Sequence, residues 1–375
     1  MVIGPLRLAG LLRHVGPLGA EESSKSNQIV EDEWEGCARA APSSFSGDNV
    51  PDLNLGVSLG ISPRQPLKAF AAQAVELEAA GVERIWLIDS QLAMKDVFAG
   101  LALAALQTRS MLLGTGVTNP ITRHPTVIAS SMAALAELSE GRAVLGIGAG
   151  DSAVYGIGAR PARVAAMEAA LRFLRAVLNG QEAEYEGRSY RLPHLAAPVK
   201  IYVAVSQPRM CALAGRVADG AIVMGPSTPG FVKRQVGWIG EGLAVAGRDR
   251  SEFDISLMTT LAENVDDVRS WASTEARLIA DFAELPPGLE PFAEEIAASK
   301  RDYDFTQHLS VHAGHRGAVG DALARALAVA GPPDECAHRL RDLLACGADT
   351  LIFPLPGSGR LDRLGFIRRE VLDRL

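Results

Sequence analysis

The sequence predicts an α/β fold, a (β/α)₈ TIM barrel with insertions, the most notable of which follows strand seven. A unit of apolar strand, glycine-bearing loop and amphipathic helix recurs along the chain, which is the alternation of a parallel sheet. Eight segments fit buried strands, the number that closes such a barrel: Leu53–Leu59, Arg84–Ile88, Met111–Val117, Ala143–Ile147, Ile201–Val205, Ala221–Met224, Ile255–Leu261 and Thr350–Phe353. A doubly wound sheet is less favoured, because no glycine fingerprint follows the first strand.

Apolar side chains that recur on one face predict the helices between the strands. Pro66 opens the first helix and Gly81 ends it, as is typical of a proline in the first turn and a glycine cap. The apolar stripe of this helix is Leu67, Phe70, Ala74 and Leu77. A second stripe, further along the chain, is Val164, Met167, Leu171, Leu174 and Leu178.

Three regions depart from this regular alternation. Residues 1–50 are polar in long stretches and lack periodicity, so we expect a poorly ordered N-terminal extension before a barrel domain of residues 51–375. Glu184 to Leu192 predicts a short hairpin. Residues 262–318 lengthen the connection after strand seven enough to form a lid over a substrate.

Composition excludes several classes of protein. With 48% hydrophobic and 22% charged residues the chain can bury a large core, and a net charge of −7 argues against nucleic-acid binding. The four cysteines lie far apart, which favours reduced thiols over a zinc site or a disulfide framework. The longest apolar stretch, residues 99–106, is too short to span a membrane, and charged residues interrupt the N-terminal leucine run. We therefore expect a cytoplasmic protein.

Polar side chains follow the second and third predicted strands, where a barrel of this kind places its active site. Asp89 and Ser90 follow strand two, as pocket residues or as caps of the next helix. Asn119 follows strand three and can hydrogen-bond the carbonyl and amide edge of a flat ring. His124 precedes Pro125, so it is either a helix cap or a substrate contact.

The ends of strands four and five supply loops that suit an anion or a flat ring. Strand four ends in a GxGxGD sequence, whose glycines expose backbone N–H groups and whose Asp151 is a candidate proton carrier. Ser206, Gln207 and Arg209 stand at the start of a helix, where a phosphate seat and an ordinary cap are both open.

The predicted lid carries a cluster that spacing alone relates to metal binding. Asp304, His308, His312 and His315 are four, four and three residues apart, which could place them on one helix face. A helix through Gly314 would be needed, so we predict no metal site and expect a lid or substrate-contact role, or a surface position. His312 and His315, with His124, are the candidate substrate residues.

Three stretches carry a resemblance to a known family. They are Gly114–Pro120 with Arg123–Pro125, Leu138–Asp151, and Gly331–Cys336 leading to Gly347. Together they resemble the luciferase-like flavin- and deazaflavin-dependent oxidoreductases, above all the methylenetetrahydromethanopterin reductase branch. The resemblance covers the chain from about Leu53 to the C-terminus and excludes the first fifty residues.

This resemblance implies a flavin-like ring at the C-terminal face of the barrel, with a non-prolyl cis peptide, here Gly116–Val117, behind it. It also implies that Asp89 and Asn119 line the ring, that the Gly148–Asp151 loop lies near ring and substrate, and that the Ser206–Gln207 loop takes phosphate. The implied cofactor-binding set is Asp89, Thr115, Gly116, Val117, Asn119, Gly148, Gly150, Val205, Ser206 and Gln207.

Two positions depart from the family pattern. Many deazaflavin relatives carry histidine where Ser90 stands, and relatives usually carry glycine where Gln207 stands. Serine does not titrate near neutral pH, so Ser90 keeps the catalytic position while proton transfer falls to Asp151 or a lid histidine. The Gln207 side chain narrows the predicted phosphate loop.

The resemblance implies an oxidoreductase that transfers hydride between the deazaflavin coenzyme F-420 and a small organic substrate. An FMN-dependent monooxygenase, which would use oxygen and a separate flavin reductase as partner, is the alternative. A flavin-binding protein without turnover is a third hypothesis. We expect a homo-oligomer, without nucleic acid or membrane as partner.

Overall fold

Eight parallel strands close into a barrel in the computed structural model, which describes residues 54–305, 313–355, 357 and 359–375. The strands of this part of the chain are β1 (Asn54–Leu59), β2 (Arg84–Leu87), β3 (Leu112–Thr115), β4 (Ala143–Ile147), β5 (Ala183–Tyr185), β6 (Arg188–Tyr190), β7 (Lys200–Val205), β8 (Gly220–Val223), β9 (Asp254–Met258), β10 (Leu261–Ala262), β11 (Val329–Ala330) and β12 (Thr350–Pro354). The barrel order is β1, β2, β3, β4, β7, β8, β9 and β12, and β12 pairs with β1. All eight predicted barrel strands are confirmed.

Helices connect the barrel strands and cover the outside of the barrel. The α-helices of the described chain are α1 (Leu67–Ala79), α2 (Val97–Gln107), α3 (Pro125–Leu138), α4 (Ser152–Tyr155), α5 (Val164–Val177), α6 (Pro208–Val217), α7 (Pro229–Val245), α8 (Val265–Ile279), α9 (Ala293–Arg301), α10 (Asp321–Leu327), α11 (Pro333–Ala345) and α12 (Arg360–Gly365). Short 3₁₀ turns are Arg250–Glu252, Glu290–Phe292, Gly314–Ala318 and Leu372–Arg374, and a π-helix spans Phe366–Val371. The helix predicted from Pro66 is α1, and its stripe buries Phe70, Ala74 and Leu77.

A polar network closes the N-terminal end of the barrel. Arg84 at the start of β2 donates to Asp254 Oδ2 at the start of β9 across 2.7 Å, and the Tyr202 hydroxyl donates to the same oxygen at 2.9 Å. Thr350 donates to Oδ1 of Asp254 at 3.0 Å. Above this layer, Trp86 packs edge-on against Tyr202 with ring centroids 5.2 Å apart. With this end filled, open space inside the barrel lies at the C-terminal ends of the strands.

Both insertions expected from the sequence are present. Strands β5 and β6 form the antiparallel hairpin that was expected from residue 184. The insertion after β9 contains α8, α9 and α10, and β10 pairs with β11 at its base. Its helices share an apolar cluster of their own, in which Ala276, Ile296 and Leu323 are buried. The insertion therefore extends beyond the predicted residue 318 and packs as a small helical unit on the barrel.

Three predictions concern residues outside the described ranges: the disorder of residues 1–50, and the roles of His308 and His312. Within the described ranges no helix combines the length and the apolar character that a membrane span requires.

Candidate functional site

A cavity of about 240 Å³ opens at the C-terminal ends of the barrel strands. The strand ends and the loops after them form its walls, and residues of α8 together with Phe282 form its cover. Nine of the predicted site residues line it: Asp89, Gly116, Val117, Asn119, Gly148, Gly150, Asp151, Val205 and Ser206. Four different strand ends, those of β2, β3, β4 and β7, therefore bring the predicted residues to one place, as a closed barrel requires.

Asp89 is buried beside the cavity and has hydrogen-bond partners on both carboxylate oxygens. Arg123 donates to Oδ2 from Nε at 2.8 Å and to Oδ1 from Nη2 at 3.1 Å, and the Thr118 hydroxyl donates to Oδ2 at 2.7 Å. Hydrogen bonds to Asp89, together with those to Asp96, outweigh burial and raise the pKa of Arg123. This geometry holds the loop after β3 against the end of β2. The sequence motif contained Arg123, but sequence reasoning gave it no role.

The loop after β3 contains the non-prolyl cis peptide Gly116–Val117, at the position that the resemblance implies. Gly116 contacts the backbone of β2 so closely that a Cβ there would lie 2.6 Å from Trp86 Cβ. Asn119 accepts hydrogen bonds at Oδ1 from the backbone N–H groups of Ile121 and Thr122, at 3.0 and 2.8 Å. Because these contacts use Oδ1, the Nδ2 amide is the part of Asn119 that is left to donate into the cavity.

Two glycines shape the loop after β4 in different ways. Gly150 has a positive φ of 99°, and a Cβ there would lie 2.4 Å from Val154 Cγ2, so the fold itself requires glycine. A Cβ on Gly148 would lie 3.1 Å from Val117 Cγ2 and 3.4 Å from Ala204 Cβ, both residues of the cavity wall. The missing side chain of Gly148 therefore leaves room in the cavity between β3 and β7.

Asp151 is held by a residue that sequence reasoning missed. Arg277 on α8 donates from Nη2 to Asp151 Oδ2 at 2.6 Å. The Arg277 guanidinium also stacks against the rings of Tyr303 and Phe305, each centred 5.3 Å away. Asp151 was expected to carry protons, but one of its oxygens is used to join the loop after β4 to the insertion.

Glu275, also on α8, is the second residue that sequence reasoning missed. Its side chain is buried and lines the cavity, and neither carboxylate oxygen has a hydrogen-bond partner among the described residues. Burial raises the pKa of Glu275 from 4.5 to about 8; Asp151 adds to the rise and Arg277 partly offsets it. A carboxyl group in this position is mainly protonated at neutral pH, and so it can donate a hydrogen bond.

The end of β7 leads into the N-terminus of α6, where phosphate binding was expected. Ser206 is half-buried and lines the cavity, whereas the Gln207 side chain is exposed and is not part of the lining. Gln207 occupies the N-cap position of α6 but makes no side-chain capping bond. The narrowing of the phosphate loop by Gln207 and the phosphate role of this loop both stay predictions.

Two further predicted residues, Ser90 and Thr115, use their hydroxyl groups in hydrogen bonds within the fold. The Ser90 hydroxyl bonds that of Ser152 at 3.2 Å. Thr115 Oγ1 donates to the carbonyl of Gly146 at 2.6 Å and so fastens β3 to β4. Neither residue belongs to the cavity lining. Ser152, the partner of Ser90, does line the cavity, and the catalytic role expected of Ser90 and the cofactor contact expected of Thr115 stay predictions.

The two described histidines of the predicted substrate set make contacts within the fold, and their substrate role stays a prediction. His124 Nδ1 accepts from the backbone N–H of Thr126 at 3.3 Å as the cap of α3, and its ring packs edge-on against Tyr185. His315 is buried against Tyr303, with ring centroids 4.3 Å apart, and burial lowers its pKa. His312 lies outside the described residues. In the ranges that the structure covers, no His, Cys, Asp and Glu side chains group as a metal site would need.

Comparison with known proteins gives this site a context. Residues 50–350 match the family described as luciferase-like monooxygenases. The 5,10-methylenetetrahydromethanopterin reductase of Methanolobus tindarius is 29% identical over 328 residues, covering 83% of this chain and 97% of that protein. A coenzyme F-420-dependent glucose-6-phosphate dehydrogenase of Nakamurella multipartita is 28% identical over 295 residues, which cover 73% of this chain and 80% of the dehydrogenase.

A solved structure gives the same grouping from the fold. The coenzyme F-420-dependent tetrahydromethanopterin reductase of Methanopyrus kandleri superposes with a TM-score of 0.66 at 25% sequence identity. The alignment covers 86% of this chain and 99% of that one. The family match alone spans most of the chain, from before β1 to the start of β12. The chain therefore belongs to the luciferase-like monooxygenase family and is an oxidoreductase of that family.

Proposed function

We propose that this chain transfers hydride between coenzyme F-420 and a small organic substrate in the cavity at the C-terminal end of the barrel. The observation that carries the proposal is the cavity itself, into which the ends of β3, β4 and β7 bring glycine loops, an amide donor and a helix N-terminus. Two of the relatives named above, the glucose-6-phosphate dehydrogenase and the solved tetrahydromethanopterin reductase, carry coenzyme F-420 in their names. They support the deazaflavin over other cofactors.

The residues present fit a flat ring system. Val117 and Ala204 form an apolar wall on either side of the space that Gly148 leaves open. Asn119 has its Nδ2 amide available for a ring carbonyl, and Ser206 stands where the cavity meets the N-terminus of α6. A helix N-terminus favours a phosphate, which a deazaflavin coenzyme and FMN both carry.

The chain's own contribution is to bind, orient and exclude water. When bound, the deazaflavin supplies a ring carbon that accepts or gives hydride. Asp89 and Arg123 fix the loop after β3, so that Val117 and Asn119 keep their positions. Trp271, Leu278 and Phe282 cover the cavity with apolar surface, which keeps water away from the reacting atoms.

An FMN-dependent monooxygenase is the second candidate, favoured by the description of the family that the chain matches. Both cofactors would use the same apolar wall and the same helix N-terminus. They differ in what must reach the ring, because a monooxygenase needs oxygen and a supply of reduced flavin. Binding preference is therefore the measurement that separates the two.

Tryptophan fluorescence can report this preference directly. Trp271 lines the cavity, whereas Trp238 packs against Phe231 outside it. Titration of the full chain with coenzyme F-420 and with FMN should quench the emission, and we expect coenzyme F-420 to bind at least tenfold more tightly, about 1.4 kcal/mol. Trp271→Phe should lose most of the quenching, while Trp238→Phe should keep it.

The order of affinities decides between the proposals. Tighter binding of FMN, with oxygen consumption when reduced FMN is supplied, would replace the hydride transferase by the monooxygenase. Binding of neither cofactor at concentrations on the order of 100 μM, a free energy near −5 kcal/mol, would reject both.

A further inference from the structure

Three titratable side chains line the cavity among the described residues: Asp89, Asp151 and Glu275. Asp89 is bound on both oxygens by Arg123 and Thr118, and Asp151 is paired with Arg277. Glu275 alone of the three has both oxygens buried and without a partner in the described chain. A buried polar group without a partner is costly, so its retention at a cavity wall indicates a ligand that completes it.

The groups around Glu275 determine which protonation state the ligand meets. Asp151 faces it from the loop after β4, Tyr303 from the segment after α9, and Arg277 lies two residues along its own helix. The positive charge of Arg277 is already matched by Asp151 at 2.6 Å. If Glu275 were ionised, it would be a second carboxylate beside Arg277 with no cation of its own. Burial also favours the neutral form of the Glu275 carboxyl.

The neighbouring side chains do not compete for this hydrogen bond. Thr274 bonds the hydroxyl of Tyr303 at 2.9 Å, and Trp271 and Leu278 present apolar surface to the cavity. A protonated carboxyl in these surroundings is a single strong donor set in an apolar wall. Such a donor suits an uncharged acceptor, and the same wall disfavours a ligand that brings its own charge.

We infer that the protonated Glu275 carboxyl is the substrate-recognition group of the cavity, where it donates a hydrogen bond to an uncharged carbonyl oxygen of the organic substrate. This inference rests on the proposed function for the identity of the site as a substrate site. It names a ketone or aldehyde as the substrate class on the oxidised side of the reaction. Glu275 selects the substrate by hydrogen bonding, and Asp151 acts by holding α8 in place.

Isotope-edited infrared spectroscopy of a bound ketone tests the inference without turnover. The probe is cyclohexanone labelled with ¹³C at the carbonyl, added to the full chain with and without coenzyme F-420. A carbonyl that accepts a hydrogen bond absorbs at a lower frequency, so the bound population is seen apart from the free ketone. We expect the shifted band at about pH 6 and its loss by about pH 10, since an ionised Glu275 cannot donate.

Three variants separate recognition from folding. Glu275→Gln keeps a donor that does not titrate, so it should hold the shifted band at both pH values. Glu275→Leu has no donor and should show no shifted band at either pH. Glu284→Gln, an exposed glutamate just beyond the same helix, should behave as the parent protein does.

Each other outcome contradicts the inference. A shifted band that survives in Glu275→Leu, a band that persists at about pH 10 in the parent, or no bound ketone at about pH 6 would overturn it. Tighter binding of cyclohexylamine than of cyclohexanone, with release of a proton, would make Glu275 a cation site instead. Coenzyme F-420 binding is measured separately by fluorescence, so failure of the cofactor proposal and failure of this inference are told apart.

Discussion

Arg277 Nη2 donates to Asp151 Oδ2 across 2.6 Å, and this ion pair joins the insertion to the glycine loop of the barrel. The two partners differ in burial: 4% of the Arg277 side chain is exposed, whereas 31% of the Asp151 side chain is exposed. Removing the carboxylate leaves a buried guanidinium whose remaining ion-pair partner among the described residues is Asp281, 4.0 Å away. The pair therefore fixes the position of α8 against the loop after β4.

Asp151→Asn should consequently lower stability, by about 1–3 kcal/mol, less than for a fully buried pair because Asp151 is partly solvated. Urea unfolding measures this change. Asp281→Asn is the matched control, because Asp281 contacts the same guanidinium at 4.0 Å and is itself partly exposed; it should cost less than half as much. Equal losses in the two variants would show that Asp151 is not the partner that holds α8.

Gly148→Ala should weaken cofactor binding without unfolding the barrel. The new Cβ would lie 3.1 Å from Val117 Cγ2, so the wall must shift by a few tenths of an ångström and stability should fall by less than about 1 kcal/mol. The methyl group would occupy cavity space, and we expect at least a tenfold loss of coenzyme affinity by fluorescence titration. Gly150→Ala is the contrasting variant, because its positive φ and the contact at 2.4 Å should cost stability first. Unchanged affinity in Gly148→Ala would place the ring elsewhere.

The barrel and the strand-end residues could be predicted because both follow local rules. Apolar runs, most of them with a glycine close by, marked all eight strands, and the C-terminal ends of parallel strands meet at one face of a barrel. The membership in the luciferase-like family, inferred from motifs such as Gly114–Pro120, is likewise confirmed. The strands and the family motifs are each defined by a short stretch of consecutive residues, so a single sequence is enough to find them.

Glu275 and Arg277 could not be found in the same way. Residues two apart on a helix point to nearly opposite faces, so an amphipathic pattern would expose at least one of them. In α8, however, every residue from Ser270 to Arg277 is buried, because the barrel lies on one side and the helices of the insertion on the other. The small and hydroxyl-bearing residues around Glu275 and Arg277 are compatible with a helix that is buried on all sides. That burial can be recognised only once the packing of the insertion on the barrel is known.

Glu78 should make the stability of the fold depend on pH in the acid range. Its Oε1 accepts from the backbone N–H groups of Arg109, Ser110 and Met111 at 2.9, 2.8 and 2.9 Å, which fastens α1 to the start of β3. Partial burial opposes ionisation, but these hydrogen bonds outweigh it and lower the pKa of Glu78 from 4.5 to about 2. The folded state stabilises the ionised carboxylate, because it supplies these hydrogen bonds. The contribution of Glu78 to the stability of the fold is therefore complete above pH 4.5 and is lost as the pH falls toward about 2.

Glu78→Gln should therefore cost about 1–2 kcal/mol at neutral pH, with the difference from the parent shrinking below pH 4.5. Urea unfolding at several pH values measures it. Glu76→Gln, at an exposed position on the same helix, should change stability by less than about 0.5 kcal/mol. A pH-independent difference for Glu78→Gln would show that packing, and not ionisation, carries its effect.

Arg123→Met should destabilise the protein strongly, by about 2–4 kcal/mol, because it leaves the buried Asp89 carboxylate with the Thr118 hydroxyl as its remaining hydrogen-bond donor. Adding Asp89→Asn should restore part of that loss, since the buried charge is then removed as well. Asp96→Asn is the control: Asp96 also bonds Arg123 but is half exposed, and it should cost less than about 1 kcal/mol. Chemical unfolding of the parent, the two single variants Arg123→Met and Asp89→Asn, their double variant and Asp96→Asn provides the comparison, and additive losses in the double variant would argue against the coupling.

The last prediction concerns the protonation state of Glu275 in the folded chain. Its pKa is raised from 4.5 to about 8, chiefly by burial, so between these values the folded state binds a proton that the unfolded state has released. Stability must then fall as the pH rises from 4.5 to about 8, and it levels off above that range as far as this group is concerned. Glu275→Gln mimics the neutral acid at every pH.

The variant should be close to the parent near pH 4.5 and more stable than it at about pH 8, by on the order of a few kcal/mol. Thermal unfolding across this range measures the difference, with Glu284→Gln expected to follow the parent throughout. A Glu275→Gln protein whose stability stays parallel to the parent from acid to alkaline pH would mean that Glu275 is ionised in the folded state, and its role as a hydrogen-bond donor would fall with that result.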